Sequence, residues 1–419
     1  MPHADSRARL AAIDGATVVA IAQRLIAAAS PNPPGDTRTV AEVAADLLCS
    51  MIPGVELALH DRGQGVVNLV ARVHGNEPGR RIVLNGHLDT YPVNEALPWM
   101  VDPLGGLVRD GRLYGRGAAD MKGGIAASIV ALAGLAEVRD DWSGEAVLTL
   151  AGDEESMGVL GTQWLLENVP HAGGDAAIIG DAGSPHVLRF GEKGFLWLAV
   201  SASGKPSHGA HVHLGVNAVD RLRRALDALG ALAHLPFDAP AAVAEAILAA
   251  RPISEHLSGA GEADVLGRIT VNIGRIEGGT SMNLVPASAR AWVDIRLPAG
   301  VAAARMEAAI AEALQPIEGV RWDVLRRVEP SVTDPASEIV AVTTAAARAV
   351  TGIAPAVNMR VGGSDARLFR RLGIPTVVYG PTPFNMGGAD ENVLVEELEI
   401  VARVHALASF DFLRGQASA

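Results

Sequence analysis

Four short segments of the 419-residue chain gather groups able to hold a cation and move a proton. The first is RIVLNGHLDTYP (81–92), an apolar run ending in His87, Leu88 and Asp89. Alternation along an extended chain puts His87 and Asp89 on the same side. A histidine ligand needs its second ring nitrogen held by an acceptor, and a carboxylate two residues on supplies one. Taken alone, the segment reads equally well as a strand-end histidine closing a turn. The second, GRLYGRGAADMKGG (111–124), sets Asp120 between a glycine-rich loop and a helix. There it either ligates or bridges cations, or caps the helix. The third, VLTLAGDEESMG (147–158), ends an apolar strand in Asp153, Glu154 and Glu155. Three acids at one strand end repel unless a cation or a proton compensates, the ordinary alternative being a solvated turn. The fourth, AIIGDAGS (177–184), ends a buried strand in Asp181. Together these segments offer one imidazole and several carboxylates, a cation-binding set with a carboxylate to spare for general base work.

Strands and helices must deliver these residues to one edge. Helical spacing is read at Thr17 to Ala29, ended by SPNPPGD (30–36), and again at Thr39 to Leu48, Ile125 to Val138 and Gly161 to Asn168. Strand patterns lie at Val66 to Val73, Arg81 to Leu84, Ala146 to Ala151 and Ala176 to Gly180. Alternating strands and helices predict an α/β domain with a mostly parallel sheet, whose carboxyl edge builds sites. The rhythm then changes to strand (195–203), helix (217–232), two strands (269–277, 288–297) and helix (301–314), an inserted α+β domain. From 339 the α/β rhythm returns, with helix 339–350, a glycine turn GGSDARLF (362–369), strand 376–379 and a last helix from Val395. The expected organisation is a cation-bearing α/β domain over 1–190 and 306–419 and an insertion over 191–305. The alanine-rich stretch 234–268 gives no clear pattern.

Composition narrows the partners. Hydrophobic residues make up 49% and the formal net charge is −12, so the chain buries a sizeable core and repels phosphate backbones. No nucleic-acid partner is expected. The apolar stretch Gly123 to Ala136 is shorter than the roughly 18 residues of a membrane span and reads as a buried helix. The single cysteine, Cys49, makes no disulfide and is expected in the core. A soluble, cytoplasmic protein follows as the expectation.

The motifs together resemble the metal-dependent aminoacylase and carboxypeptidase family, which includes desuccinylases, deacetylases and glutamate carboxypeptidase. The resemblance runs from SPNPPGD through the segments above, GKPSHGAHVHLGVNAV (204–219), EGGTSMNLVPASARAWVDIRLP (277–298) and GGSDARLFRRLGIPTVVYGP (362–381), to GGADENVLVEEL (387–398). It implies a catalytic domain and an inserted lid domain that dimerises. It further implies His87 on one metal with Asp89 orienting it, Asp120 bridging two metals, Glu155 on the second and Asp181 on the first. Glu154 would be the general base. His208 would reach a neighbouring subunit's site and stabilise the oxyanion. Asn272 and the loop of Gly362, Gly363 and Ser364 would touch substrate. Arg290 and Arg296 are further candidates for a substrate carboxylate, Arg296 being equally an ion-pair partner of Asp294. Trp99 is expected to line the site's mouth or pack a loop, and His211 and His213 to lie at the surface or pack the lid.

The sequence departs from the family where the second metal's histidine usually stands, because that position is Gly387 in FNMGGADENV (384–393). Either one metal remains, or a water or Glu391 fills the gap and two survive. The cofactor is accordingly expected to be manganese, zinc or cobalt, one or two per chain. The expected activity is hydrolysis of a C–N bond in a small carboxylate-bearing substrate by metal-activated water. An alternative is hydrolytic removal of an aromatic amino group, as from 5-nitroanthranilate. A non-enzymatic alternative is a catalytically dead dimer that binds a small molecule.

Overall fold

The computed structural model describes residues 2–94 and 96–415. The chain divides into two compact units, one of Met1–Phe190, Thr333–Asn358 and Ser364–Ala419, the other of Gly191–Val332 and Met359–Gly363. The expected boundary at 305/306 therefore gives way to one at 332. The expected boundary would cut the helix Ala303–Leu314, whose Met306, Ile310 and Leu314 pack into the second unit's core.

The first unit is built on a mixed sheet. Its spatial order is Glu56–Asp61, Val67–His74, Glu145–Ala151, Arg81–His87, Ala176–Ile179, Thr376–Val378 and Val187–Glu192. The central pairings, Arg81–His87 with Glu145–Ala151 and with Ala176–Ile179, and Ala176–Ile179 with Thr376–Val378, are parallel, while the outer pairings are antiparallel. Strands buried on both faces read as continuous apolar runs, which is why IVL, VLTLA and AAII carry so few polar residues. Parallel pairing also brings the carboxyl ends of these strands to one edge, and with them His87, Glu154, Glu155 and Asp181.

The helix Gly123–Glu137 crosses this unit almost wholly buried, packed on Val395–Leu413 and Gly15–Ala27. Together with the irregular turn before it, the stretch Ala118–Glu137 is long and apolar enough to cross a membrane, but 89% of that window is buried inside the fold, as in a core helix. Its start is fixed by contact between glycines. A Cβ on Gly124 would stand 1.8 Å from the Gly180 carbonyl oxygen. Only glycine allows that approach, and it seats the Asp120 turn beside the strand end that carries Asp181.

The second unit is an antiparallel sheet in the order Thr270–Gly278, Ser288–Leu297, Gly194–Ser203, Val320–Val328. Its alternating apolar residues face the helices Ala218–Ala231 and Ala303–Leu314, giving one hydrophobic core around Leu196, Leu198, Leu222, Ile295 and Met306. The unread stretch 234–268 folds largely as Ala241–Ser258 and Glu262–Leu266. Also beyond the sequence reading are the edge strands Glu56–Asp61 and Val320–Val328, whose charged faces break the apolar alternation. Cys49 is exposed rather than in the core, since it falls on the outer face of Arg38–Met51.

Candidate functional site

His87 is the last residue of its strand and is buried. Its Nδ1 lies 2.9 Å from the Asp89 carbonyl oxygen and 3.5 Å from Asp89 Oδ1. Its Nε2 lies 2.9 Å from Asp120 Oδ1. The main-chain carbonyl, not the carboxylate, is thus the nearer acceptor that fixes the ring. The Asp89 carboxylate is used elsewhere. Oδ1 accepts from the Glu154 N–H at 3.1 Å, and Oδ2 accepts from the Glu155 N–H at 3.0 Å and from Asn32 Nδ2 at 2.8 Å. Asp89 therefore ties the strand end of the first segment to the turn of the third.

Asp120 is not a helix cap. The helix begins at Gly123 with Lys122 before it and no side-chain cap bond, and the Asp120 carboxylate turns to His87 instead. Asp181 is 4% exposed, and its Oδ1 accepts from the following Ala182 N–H. One ligand atom each from His87, Asp120 and Asp181 lies within 4.8 Å of the others. Donors held at about 2.0–2.2 Å from an ion lie roughly 3–4 Å apart, so a small closure suffices to bind one. The fit also rests on charge. Asp89, Asp153, Glu155, Asp181, Asp365 and Glu391 are all buried or half-buried near one histidine, and Glu155 Oε1 is buried with no hydrogen-bond partner. A divalent cation relieves such an excess of acid.

The same crowding sets the protonation of the acids. Burial raises Glu154 well above the usual carboxylate range, opposed by His87 and Arg367. Burial, then Asp120, pushes Glu155 up to about 8. Asp153 rises to about 6, again by burial. Burial works against a charged His87, but the hydrogen bonds to Asp120 and Asp89 outweigh it and raise its pKa well above the ordinary value.

Three supporting residues escaped the sequence reading. Asn32, within SPNPPGD, holds Asp89. Arg367, 7% exposed, places Nη1 3.3 Å from Glu154 Oε1, donates from Nη2 to the Met157 carbonyl at 2.9 Å, and donates to the Ser364 carbonyl. Asp365 accepts from Thr162 Oγ1 at 2.6 Å. Both of the latter sit in GGSDARLF, where an adjacent acid and base beside the expected Ser364 were the available signal. Ser364 itself is buried, its Oγ accepting from the Ala366 N–H. Glu391 does not point at a cation position. Its Oε1 accepts from the Ala119 and Asp120 N–H groups at 3.0 and 3.3 Å, and Oε2 accepts from Arg116. Trp99 packs against that same Arg116, whose guanidinium lies 5.3 Å from its ring.

The remaining expected residues belong to the second unit. His208 is exposed, and its Nδ1 accepts from the Ala210 N–H, capping a short helical turn. The rings of His211 and His213 follow it at 6.0 Å spacings. Asn272 and Arg290 are exposed, Arg290 lying over the Trp292 ring. Arg296 pairs with Asp294 at 3.0 Å, the ion-pair reading rather than a free cation. Gly362 and Gly363 are partly exposed.

Residues 83–410 match the family model "Peptidase family M20/M25/M40", and the chain belongs to that family. Succinyl-diaminopimelate desuccinylase of Rhodospirillum centenum is 32% identical over 368 residues, 85% of this chain and 88% of its own. An M20 family metallo-carboxypeptidase from Sulfolobus solfataricus superposes with a TM-score of 0.76 at 20% identity, covering 94% of this chain and 99% of that one. A dinuclear metal-binding M20 peptidase from Bacillus subtilis gives 0.65 at 14%, covering 95% and 98%. The chain is accordingly a metal-dependent hydrolase acting on amide or peptide C–N bonds.

Proposed function

We propose that the protein hydrolyses the amide bond of a small carboxylate-bearing substrate, an N-acyl amino acid or a dipeptide, with Glu154 as general base. His87, Asp120 and Asp181 would hold a divalent ion, manganese, zinc or cobalt. Such an ion lowers the pKa of a water and polarises a carbonyl oxygen. The observation that carries this reading is the convergence of those three donors beside a turn, anchored by Asp89, that presents Glu154.

Glu154 takes the proton of the attacking water and returns it to the departing nitrogen. Arg367 steadies its carboxylate from one side, and the Asp89 bond to its N–H fixes the main chain. Ser364 and Gly363, with Asn272 and Arg290, would bind the substrate, Arg290 meeting its carboxylate. His208 would share the charge developing on the carbonyl oxygen, acting from one subunit of a cytoplasmic homodimer on the site of the other.

Glu154→Gln is expected to lower turnover by about 10²–10⁴-fold while cation content stays unchanged. The assay uses N-acyl amino acids, dipeptides and aminobenzoates with the cation-loaded enzyme. Ammonia release from aminobenzoates alone, with amides untouched, would overturn the amide reading. Full turnover by Glu154→Gln would overturn the role of the base.

A further inference from the structure

We infer that Glu391 is a positioning residue of the cation centre: its buried carboxylate holds the main chain of Asp120, and Arg116 holds that carboxylate in turn. The inference rests on the reading that His87, Asp120 and Asp181 hold an ion.

Asp120 leaves the main chain from an irregular turn. Its φ of −132° and ψ of 89° are extended, and the helix starts only at Gly123, so no helical ladder fixes its N–H. A ligand carried on such a turn needs to be oriented from elsewhere in the fold. Glu391, 271 residues further along, does so. Its Oε1 accepts from the Ala119 N–H at 3.0 Å and from the Asp120 N–H at 3.3 Å. Two successive N–H groups aimed at one oxygen set the tilt of the turn. That tilt directs the Asp120 side chain toward His87, whose Nε2 it meets at 2.9 Å.

Glu391 is itself held on both its side chain and its main chain. It is 1% exposed, and its Oε2 accepts from Nη1 of Arg116, which is 2% exposed. Arg116 Nη2 donates to the Gly387 and Gly388 carbonyls at 3.0 and 3.1 Å, and Trp99 packs against the guanidinium. The Gly115 N–H donates to the Glu391 carbonyl at 2.9 Å. The next residue, Asn392, pairs with Tyr114 between the short antiparallel strands Arg112–Tyr114 and Asn392–Leu394. The segment 387–392 is thus fastened along 112–120, and its one contact with the Asp120 main chain is the Glu391 carboxylate. An ion pair that only held the fold together would be indifferent to what meets the Ala119 and Asp120 N–H groups. A positioning carboxylate would not. Replacing both partners of a buried pair by apolar residues leaves no charge unpaired, so the fold survives, but the two N–H groups lose their acceptor.

The test measures the manganese(II) dissociation constant of the whole protein, stripped with chelator, by titration calorimetry, with circular dichroism and the urea midpoint to establish folding. Arg116→Met combined with Glu391→Leu is expected to fold and to bind manganese about 10–100-fold more weakly than the wild type. Arg116→Met combined with Glu391→Gln returns an uncharged oxygen to the two N–H groups and is expected to recover most of that loss. A merely structural ion pair would move the urea midpoint and leave the manganese affinity of both double variants alike. If the leucine variant fails to fold, Glu391→Asp takes its place. It keeps the charge for Arg116, but its carboxylate is one methylene short of the N–H pair, and the same weakening is expected. Wild-type affinity in the leucine or aspartate variant, or a glutamine variant as weak as the leucine one, would overturn the inference. No bound manganese in the wild type would instead overturn the underlying assignment of His87, Asp120 and Asp181.

Discussion

The two units hold their expected functional residues in opposite ways. In the first, several of the chemical groups are fixed by one another. His87 is held by Asp89 and Asp120, Glu154 by Arg367, the 154–155 turn by Asp89, and Asp89 by Asn32. In the second, His208 is exposed and held by one local cap, and Asn272 and Arg290 lie open on a sheet. Buried acids strengthen one another's need for a cation, because little water intervenes. An exposed histidine has no such leverage and gains it only when something covers it. The first unit thus gathers interlocked buried charge, while the second leaves its polar groups in water.

This contrast can be broken at several points. Arg367→Met should have the largest effect on stability. It leaves Glu154 buried without its cationic partner, and such losses cost about 3–5 kcal/mol, to be read from urea unfolding of the cation-free protein. A cost under about 1 kcal/mol would mean that the network is less interdependent than its geometry suggests.

Acid should act next, through His405. Its ring is buried, with Nε2 2.7 Å from the Tyr379 carbonyl and Nδ1 3.1 Å from Ser128 Oγ, and burial pushes its pKa down to about 4. The folded value is below the unfolded value of about 6.5, so the unfolded chain takes up the proton first. The contribution to stability is complete above pH about 6.5 and is lost as pH falls toward about 4, a difference of about 3 kcal/mol. His405→Gln should lack that component, and parallel unfolding curves at pH 7 and pH 4.5 would reveal whether it does.

His208→Ala should be the mildest in stability, changing it by no more than about 1 kcal/mol, the worth of one helix cap. Its turnover should nevertheless fall by about 10²-fold, as for the loss of an oxyanion donor. A large loss of stability with little loss of turnover would reverse the comparison between the units.

The legible part of this protein was what neighbouring residues decide. The apolar runs ending in His87, Asp153 and Asp181 marked strands, and those strands pair as an α/β sheet requires. Continuous apolar patterning also exposed the core helix Gly123–Glu137. The edge strands Glu56–Asp61 and Val320–Val328 were hidden because one-sided exposure mixes charges into them. Arg367 and Asn32 were hidden for another reason. They act across 213 and 57 residues of separation, and nothing in their local sequence tells which acid they meet.

The sequence alone determined the inventory: one histidine and a surplus of carboxylates at strand ends, a glycine at 387, and glycines at 124 and 180. Residue type and local period fix these before folding. Only the tertiary structure decided how the inventory is spent. It assigned the Asp89 carbonyl to His87 and the Asp89 carboxylate to the neighbouring turn, and withdrew Glu391 from the candidate donors. Hydrogen bonds and excluded volume act over a few ångströms in space, whatever the distance along the chain, so those choices exist only once the strands have been brought side by side.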